Sequence, residues 1–167
     1  VALVMPKGSD PALDLTLLEA CQQLDPISLG QYLKIRFTRV SNPKSKALSP
    51  TTWETPSQVW TSTTPVVIPF LSNGPVEKWV EKLCRQAGLP PLRSVEVSQK
   101  SFLAGIQHVL FKSGPSQQIP PYRVSGKKPS FHRFVRLVFE EPVEGPLGLG
   151  AGKHKGYGWF KSGGSNA

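Results

Sequence analysis

The chain holds three histidines, His108, His132 and His154. Histidine is the side chain best poised to move protons near neutrality, so these three bound any histidine-based acid–base chemistry. His154 lies inside the run Gly-Pro-Leu-Gly-Leu-Gly-Ala-Gly-Lys-His-Lys-Gly-Tyr-Gly-Trp-Phe, from Gly145 to Phe160. Gly145, Gly148, Gly150, Gly152, Gly156 and Gly158 punctuate it. Glycine permits positive φ and lets backbone amides come close to a phosphate. Lys153, His154 and Lys155 sit between the two glycine groups. There an imidazole can accept or give a proton while ammonium groups offset phosphate charge. Tyr157, Trp159 and Phe160 follow as packing or stacking groups.

Established phosphate motifs do not fit this run. A P-loop needs glycine five positions before its Gly-Lys pair and a hydroxyl residue after it. Leu147 and His154 occupy those positions, which excludes ATP binding by that motif. The dinucleotide pattern G-x-G-x-x-G fails because Lys153 or Lys155 falls where its last glycine belongs. Two readings stay open: a grip on phosphate, or a tight turn into a last strand with its lysines solvated. Cys21 and Cys84 each sit in a helical apolar pattern and read as core thiols. No Cys or His pair has zinc-ligand spacing. No metal and no cofactor is expected, and a reducing cytoplasm is the compatible compartment.

Charge points to the same stretch. Lysine and arginine total 20 against 11 acids, a net charge of +9, which implies an acidic partner such as nucleic acid, anionic lipid or an acidic protein. From Arg123 onward the cations are Arg123, Lys127, Lys128, Arg133, Arg136, Lys153, Lys155 and Lys161, against Glu140, Glu141 and Glu144. No run approaches the ~18 apolar residues of a spanning helix, and no secretory signal opens the chain. No membrane partner is expected. Val1 stands where an initiator methionine would, so the chain is read as part of a longer protein.

The elements that must position these residues follow from periodicity. Leu17, Leu18, Cys21 and Leu24 recur at helical spacing, with Asp14 as N-cap and Pro26 as terminator. Leu33, Ile35 and Phe37 alternate as in a half-buried strand. Asn42 to Pro56 reads as loop. Val59 to Phe70 is β-prone and broken at Pro65. Val76, Trp79, Val80, Leu83, Cys84 and Ala87 line one helix face, with Ser72 or Asn73 as cap, Pro75 in the first turn and Gly88 at C′. Arg93 to Val97 reads as a strand. Phe102 to Phe111 fits either a strand or a helix, and Ser113 to Pro129 is a long loop. Phe131 to Phe139 is a strand with Phe131, Arg133, Val135, Leu137 and Phe139 on its core face. His132, Phe134, Arg136 and Val138 share the other face. A basic, aromatic strand face suits single-stranded RNA, with rings stacking bases and cations holding phosphates. The alternative is that a helix covers this face and Phe134 and Val138 are core.

The glycine-rich run resembles the C-terminal loop of the CRISPR-associated RAMP superfamily. It is most similar to the fused repeat-processing subunit of type I-G (formerly I-U) effector complexes, whose pattern is similar to G-P-L-x-L-G-x-G-R/K-H-x-G-x-G-x-F. Supporting segments are Trp60-Thr-Ser-Thr-Thr-Pro65, the helix ending at Gly88-Leu-Pro-Pro91, and His132 through Pro146. The likeness spans roughly Leu48 to Phe160.

The resemblance implies an α+β, ferredoxin-like (RRM-like) RAMP domain at 48–161. Residues 1–47 would be an N-terminal helix–strand segment left from an upstream module, and 162–167 a flexible tail. It implies antiviral defence: binding of CRISPR repeat RNA and metal-independent cleavage at its stem-loop by 2′-hydroxyl attack, the crRNA staying bound. The partners would be the backbone and large subunits of a type I complex and an upstream RAMP module. A non-catalytic scaffold capping the guide RNA is the alternative. His154 is the first candidate for proton transfer and His132 the second. His108, in an apolar run, reads as core, and Tyr122, Tyr157 and Ser125 are substitutes. Arg123, Lys127, Lys128, Arg136, Gly150, Gly152, Lys153, Lys155, Gly156 and Tyr157 are the expected RNA contacts.

Overall fold

The computed structural model describes residues 10–23, 27–29, 33–35, 44–46, 49–68, 74–106 and 131–163. The chain divides into two units, Val1–Ser49 and Pro50–Ala167. In the first, helix α1 spans Pro11–Gln22, and strands β1 (Ile27–Leu29) and β2 (Leu33–Ile35) pair antiparallel. The N-cap of α1 is Asp10, whose carboxylate accepts from the Ala12 amide at 2.9 Å. Asp14, the expected cap, lies one turn inside the helix. Pro11, fixed at a helical φ in the first position, moves the start upstream.

The second unit is α+β. Its elements are α2 (Pro50–Glu54), β3 (Ser57–Ser62), β4 (Val66–Ile68), α3 (Val76–Gln86), β5 (Leu92–Ser98), β6 (Phe131–Val143), β7 (Leu147–Gly148) and β8 (Trp159–Ser162). The short α2 corrects the loop expected over Asn42–Pro56. Its last turn is tied by the Thr55 hydroxyl to the Thr51 carbonyl, and the Ser162 hydroxyl donates to the Thr52 carbonyl. β8 therefore reaches one residue into the segment expected as tail, and the Gly163 amide continues the pairing to the Val59 carbonyl.

The strands β3 to β8 form one sheet in which every pairing is antiparallel. β6 is its centre. One edge of β6 pairs with β5, and the other pairs first with β3 and then with β4. β3 and β4 are thus two pieces of one line, parted where Thr63, Thr64 and Pro65 leave the ladder. Proline cannot donate to a ladder, which accounts for the break. At the break the Ser62 hydroxyl, fully buried, takes the Val135 amide at 2.8 Å in place of a backbone acceptor.

Helix α3 returns the chain from β4 to β5, which runs parallel to β3 because both oppose β6. It ends in a Schellman motif, with Leu89 N–H to Cys84 O and Gly88 N–H to Arg85 O, and Gly88 at φ +70°. This is the C′ glycine the sequence predicts. Val80 and Cys84 are buried with Trp60, Val66, Ile68, Val135, Leu137, Phe139 and Phe160, and Trp79 and Leu83 pack at the margin. Each large side chain so removed from water contributes about 1.5–3 kcal/mol. Burial in this core drives the Cys84 thiol from 9.0 to about 12, with Glu81 adding to the rise. The apolar face of the sheet is therefore the one under α3.

Candidate nucleic-acid interface

The glycine-rich run is a β-hairpin. Leu147 pairs with Phe160 and Gly148 with Trp159, and the residues between form the loop. Its base docks into the break between β3 and β4. The Gly158 amide donates to Pro65 O at 2.8 Å, Ala151 to Val67 O at 3.2 Å and Leu149 to Gly158 O at 2.9 Å. The Trp159 amide donates to the Thr64 hydroxyl, and the Thr63 amide and hydroxyl both donate back to Trp159 O.

Close approach explains the glycines of this base. A Cβ on Gly158, at φ +65°, would overlap the Leu149 carbonyl oxygen, and one on Gly150, at φ +91°, would press on the Val67 backbone. Gly152 is buried beneath the Tyr157 ring. These contacts give Gly150 and Gly152 a packing role in the base of the hairpin. The Leu149 amide is spent on Gly158 O within the hairpin and the Ala151 amide on Val67 O of β4, and Gly152 O accepts from Lys155 and Tyr157.

The tip differs. Lys153, His154 and Lys155 form a single 3₁₀ turn, all three exposed, and Gly156 closes it at φ +86° in the left-handed region. The Trp159 indole N–H donates to Lys153 O at 3.0 Å and fastens the turn to β8. Two cations and an imidazole are thus held outward on a hairpin whose base is fixed on both sides.

His132 sits otherwise. It is 5% exposed, and its ring lies 5.6 Å from that of Tyr157 at a tilt of 60°. Tyr157 is half-buried, and burial raises its phenol pKa, away from service as a base near neutrality. His132 does not share the solvent-facing tip with His154. Arg133 donates to the His132 carbonyl at 2.9 Å, and burial lowers its pKa.

The face of β6 carrying His132, Phe134, Arg136 and Val138 is closed at one end. Phe134 is fully buried, which, of the two readings of this face, favours Phe134 as core over a stacking ring. Arg136 and Val138 are half-buried, and Ser94 and Glu96 beside them on β5 are exposed. Arg123, Lys127, Lys128, His108, Tyr122 and Ser125 lie outside the described residues. Among the described residues no group of three His, Cys, Asp or Glu could hold a metal, and no helix is long and apolar enough to cross a membrane.

Three positions that shape this site escaped sequence reasoning. Thr63 and Thr64 supply the hydroxyl bonds that seat the hairpin, and Ser62 supplies the one that holds the break against Val135 of β6. Their signal was present: three hydroxyl residues before a proline inside a β-prone run, the composition of a strand break that repairs its own hydrogen bonds. Comparisons with protein-family models, with curated proteins and with solved structures gave no match to this chain.

Proposed function

We propose that this chain binds RNA through the Lys153–His154–Lys155 tip, and that its ligand is a CRISPR repeat RNA held within a type I effector complex. The observation that carries the reading is the exposed cationic turn on a fixed hairpin. Rigid elements hold a contact more closely than free loops do, and outward lysines supply the sequence-independent attraction to phosphate. The strand order supports a ferredoxin-like RAMP domain. Taking β3 and β4 as one line, the pieces run strand, helix, strand, strand, strand in the sheet order β5-β6-β3-β8. A ferredoxin-like domain has that order, with a second helix before its last strand. Here the glycine-rich hairpin stands in that helix's place. Backbone and large subunits and an upstream RAMP module are the partners this reading calls for.

Cleavage is a second reading, favoured by the exposure of His154 between two cations. In it, His154 takes the 2′-hydroxyl proton, the 2′-oxygen attacks the adjacent phosphorus, and the 5′-oxygen leaves with a proton from an acid. Lys153 and Lys155 offset the added negative charge. Incubating the protein with a stem-loop repeat RNA in EDTA separates the readings. Cleavage yields a 2′,3′-cyclic phosphate end and slows in His154→Ala. Retention without a cut leaves the scaffold role, and absence of preference for the stem-loop over scrambled RNA removes both.

A further inference from the structure

Away from the tip, one row of the sheet has incomplete hydrogen bonding. Lys161 on β8 stands opposite Thr61 on β3, and Thr61 stands opposite Arg136 on β6. Directly paired residues project to the same face, so a hydroxyl lies between an ammonium and a guanidinium side chain. Thr61 is 1% exposed. Among the described residues, neither its Oγ1 nor the buried Nε of Arg136 has a hydrogen-bond partner. Buried polar groups are nearly always paired, and an unpaired one asks for a missing partner. The other end of the guanidinium is weakly held: Arg136 Nη1 is 3.6 Å from Glu96 Oε1, with that carboxylate's side chain 52% exposed. A long, solvated pair of this kind yields readily to a competing anion. Lys161 has no acid within ion-pair distance among the described residues.

We infer that the row Lys161–Thr61–Arg136 is a phosphate subsite. Its oxygen ligands would accept from the Thr61 hydroxyl and the Arg136 Nε–H, with the Lys161 ammonium opposing the charge. The groups are donors or cations throughout, and the row's one acid, Glu96, stands at the far end, where it competes with the anion for Arg136. The row starts on β8, the strand into which the Lys153–Lys155 turn leads. As an RNA contact the subsite rests on the function proposed above. Its anion chemistry is the same for free phosphate.

Two probes distinguish these sources. Thr61→Val keeps the shape of the side chain and removes the hydroxyl, and its own folding stability should be no lower, because an unpaired buried group is lost. Inorganic phosphate at constant ionic strength should raise the Tm of the wild-type protein, and of neither Thr61→Val nor Arg136→Gln. With stem-loop RNA, Arg136→Gln should weaken binding and lower the slope of log Kd against log salt by about one. Thr61→Val should weaken binding several-fold at unchanged slope. A phosphate response without an RNA effect assigns the subsite to the free ion. Equal phosphate responses and equal RNA affinities in all three proteins overturn the inference. Lys153 and Lys155 variants test the RNA reading separately, since neither residue belongs to this row.

Discussion

At the base of the β7–β8 hairpin, Gly145, Gly150, Gly152 and Gly158 stand where a side chain would meet protein; at its tip, Gly156 faces open space. The base is bonded to Pro65, Val67 and Thr64, whereas the tip exposes Lys153, His154 and Lys155. One residue type thus serves two ends. In the base it permits backbone to lie against backbone, and in the tip it permits a left-handed close to a turn. The glycines shape the platform, and the charges between them face outward.

Substitutions break this comparison in order of size. Gly158→Ala combines a disfavoured φ with an overlap on the Leu149 carbonyl and should destabilise by about 2–5 kcal/mol in denaturant titration. Ser62→Ala leaves the Val135 amide without its acceptor and should lose about 1–3 kcal/mol. Gly156→Ala meets no atom within 4 Å, so it should cost only the left-handed penalty, about 1–2 kcal/mol. If Gly156→Ala proved as damaging as Gly158→Ala, the division between base and tip would be lost.

A pH-dependent effect comes from the core below the hairpin. The thiol of Cys84 is raised from 9.0 to about 12 in the folded protein. Unfolding therefore releases its proton above pH 9, so its contribution to stability is complete below that value and declines as pH rises toward 12. Denaturant midpoints should fall less steeply over this range in Cys84→Ala than in the wild-type protein, after allowance for the variant's lower stability at neutral pH.

Much of the sheet was legible in the residues. The period of α3, its Gly88 stop and the alternation of Phe131–Phe139 give type and face directly, because apolar burial enforces those periods. The cap of α1 was misplaced because Asp10 and Asp14 both suit a cap and only the position of Pro11 separates them. The site was legible in part. Lys153, His154 and Lys155 stand out by charge, but sequence does not say which glycines are packed. That depends on where β3 breaks, and so on contacts between residues about 95 apart, such as Trp159 with Thr64. Phe134 shows the same limit. Alternation assigns its face, and only tertiary contact decides whether that face is covered.

Titration of stem-loop RNA with the wild-type protein and with a Lys153→Gln, Lys155→Gln double variant across a range of salt tests the proposed RNA-binding tip most directly. Both lysines are exposed, so folding stability should stay within about 0.5 kcal/mol of wild type. If the tip binds RNA, the variant should bind more weakly, with a salt slope smaller by up to about two. Equal affinity and equal slope in the two proteins would contradict it.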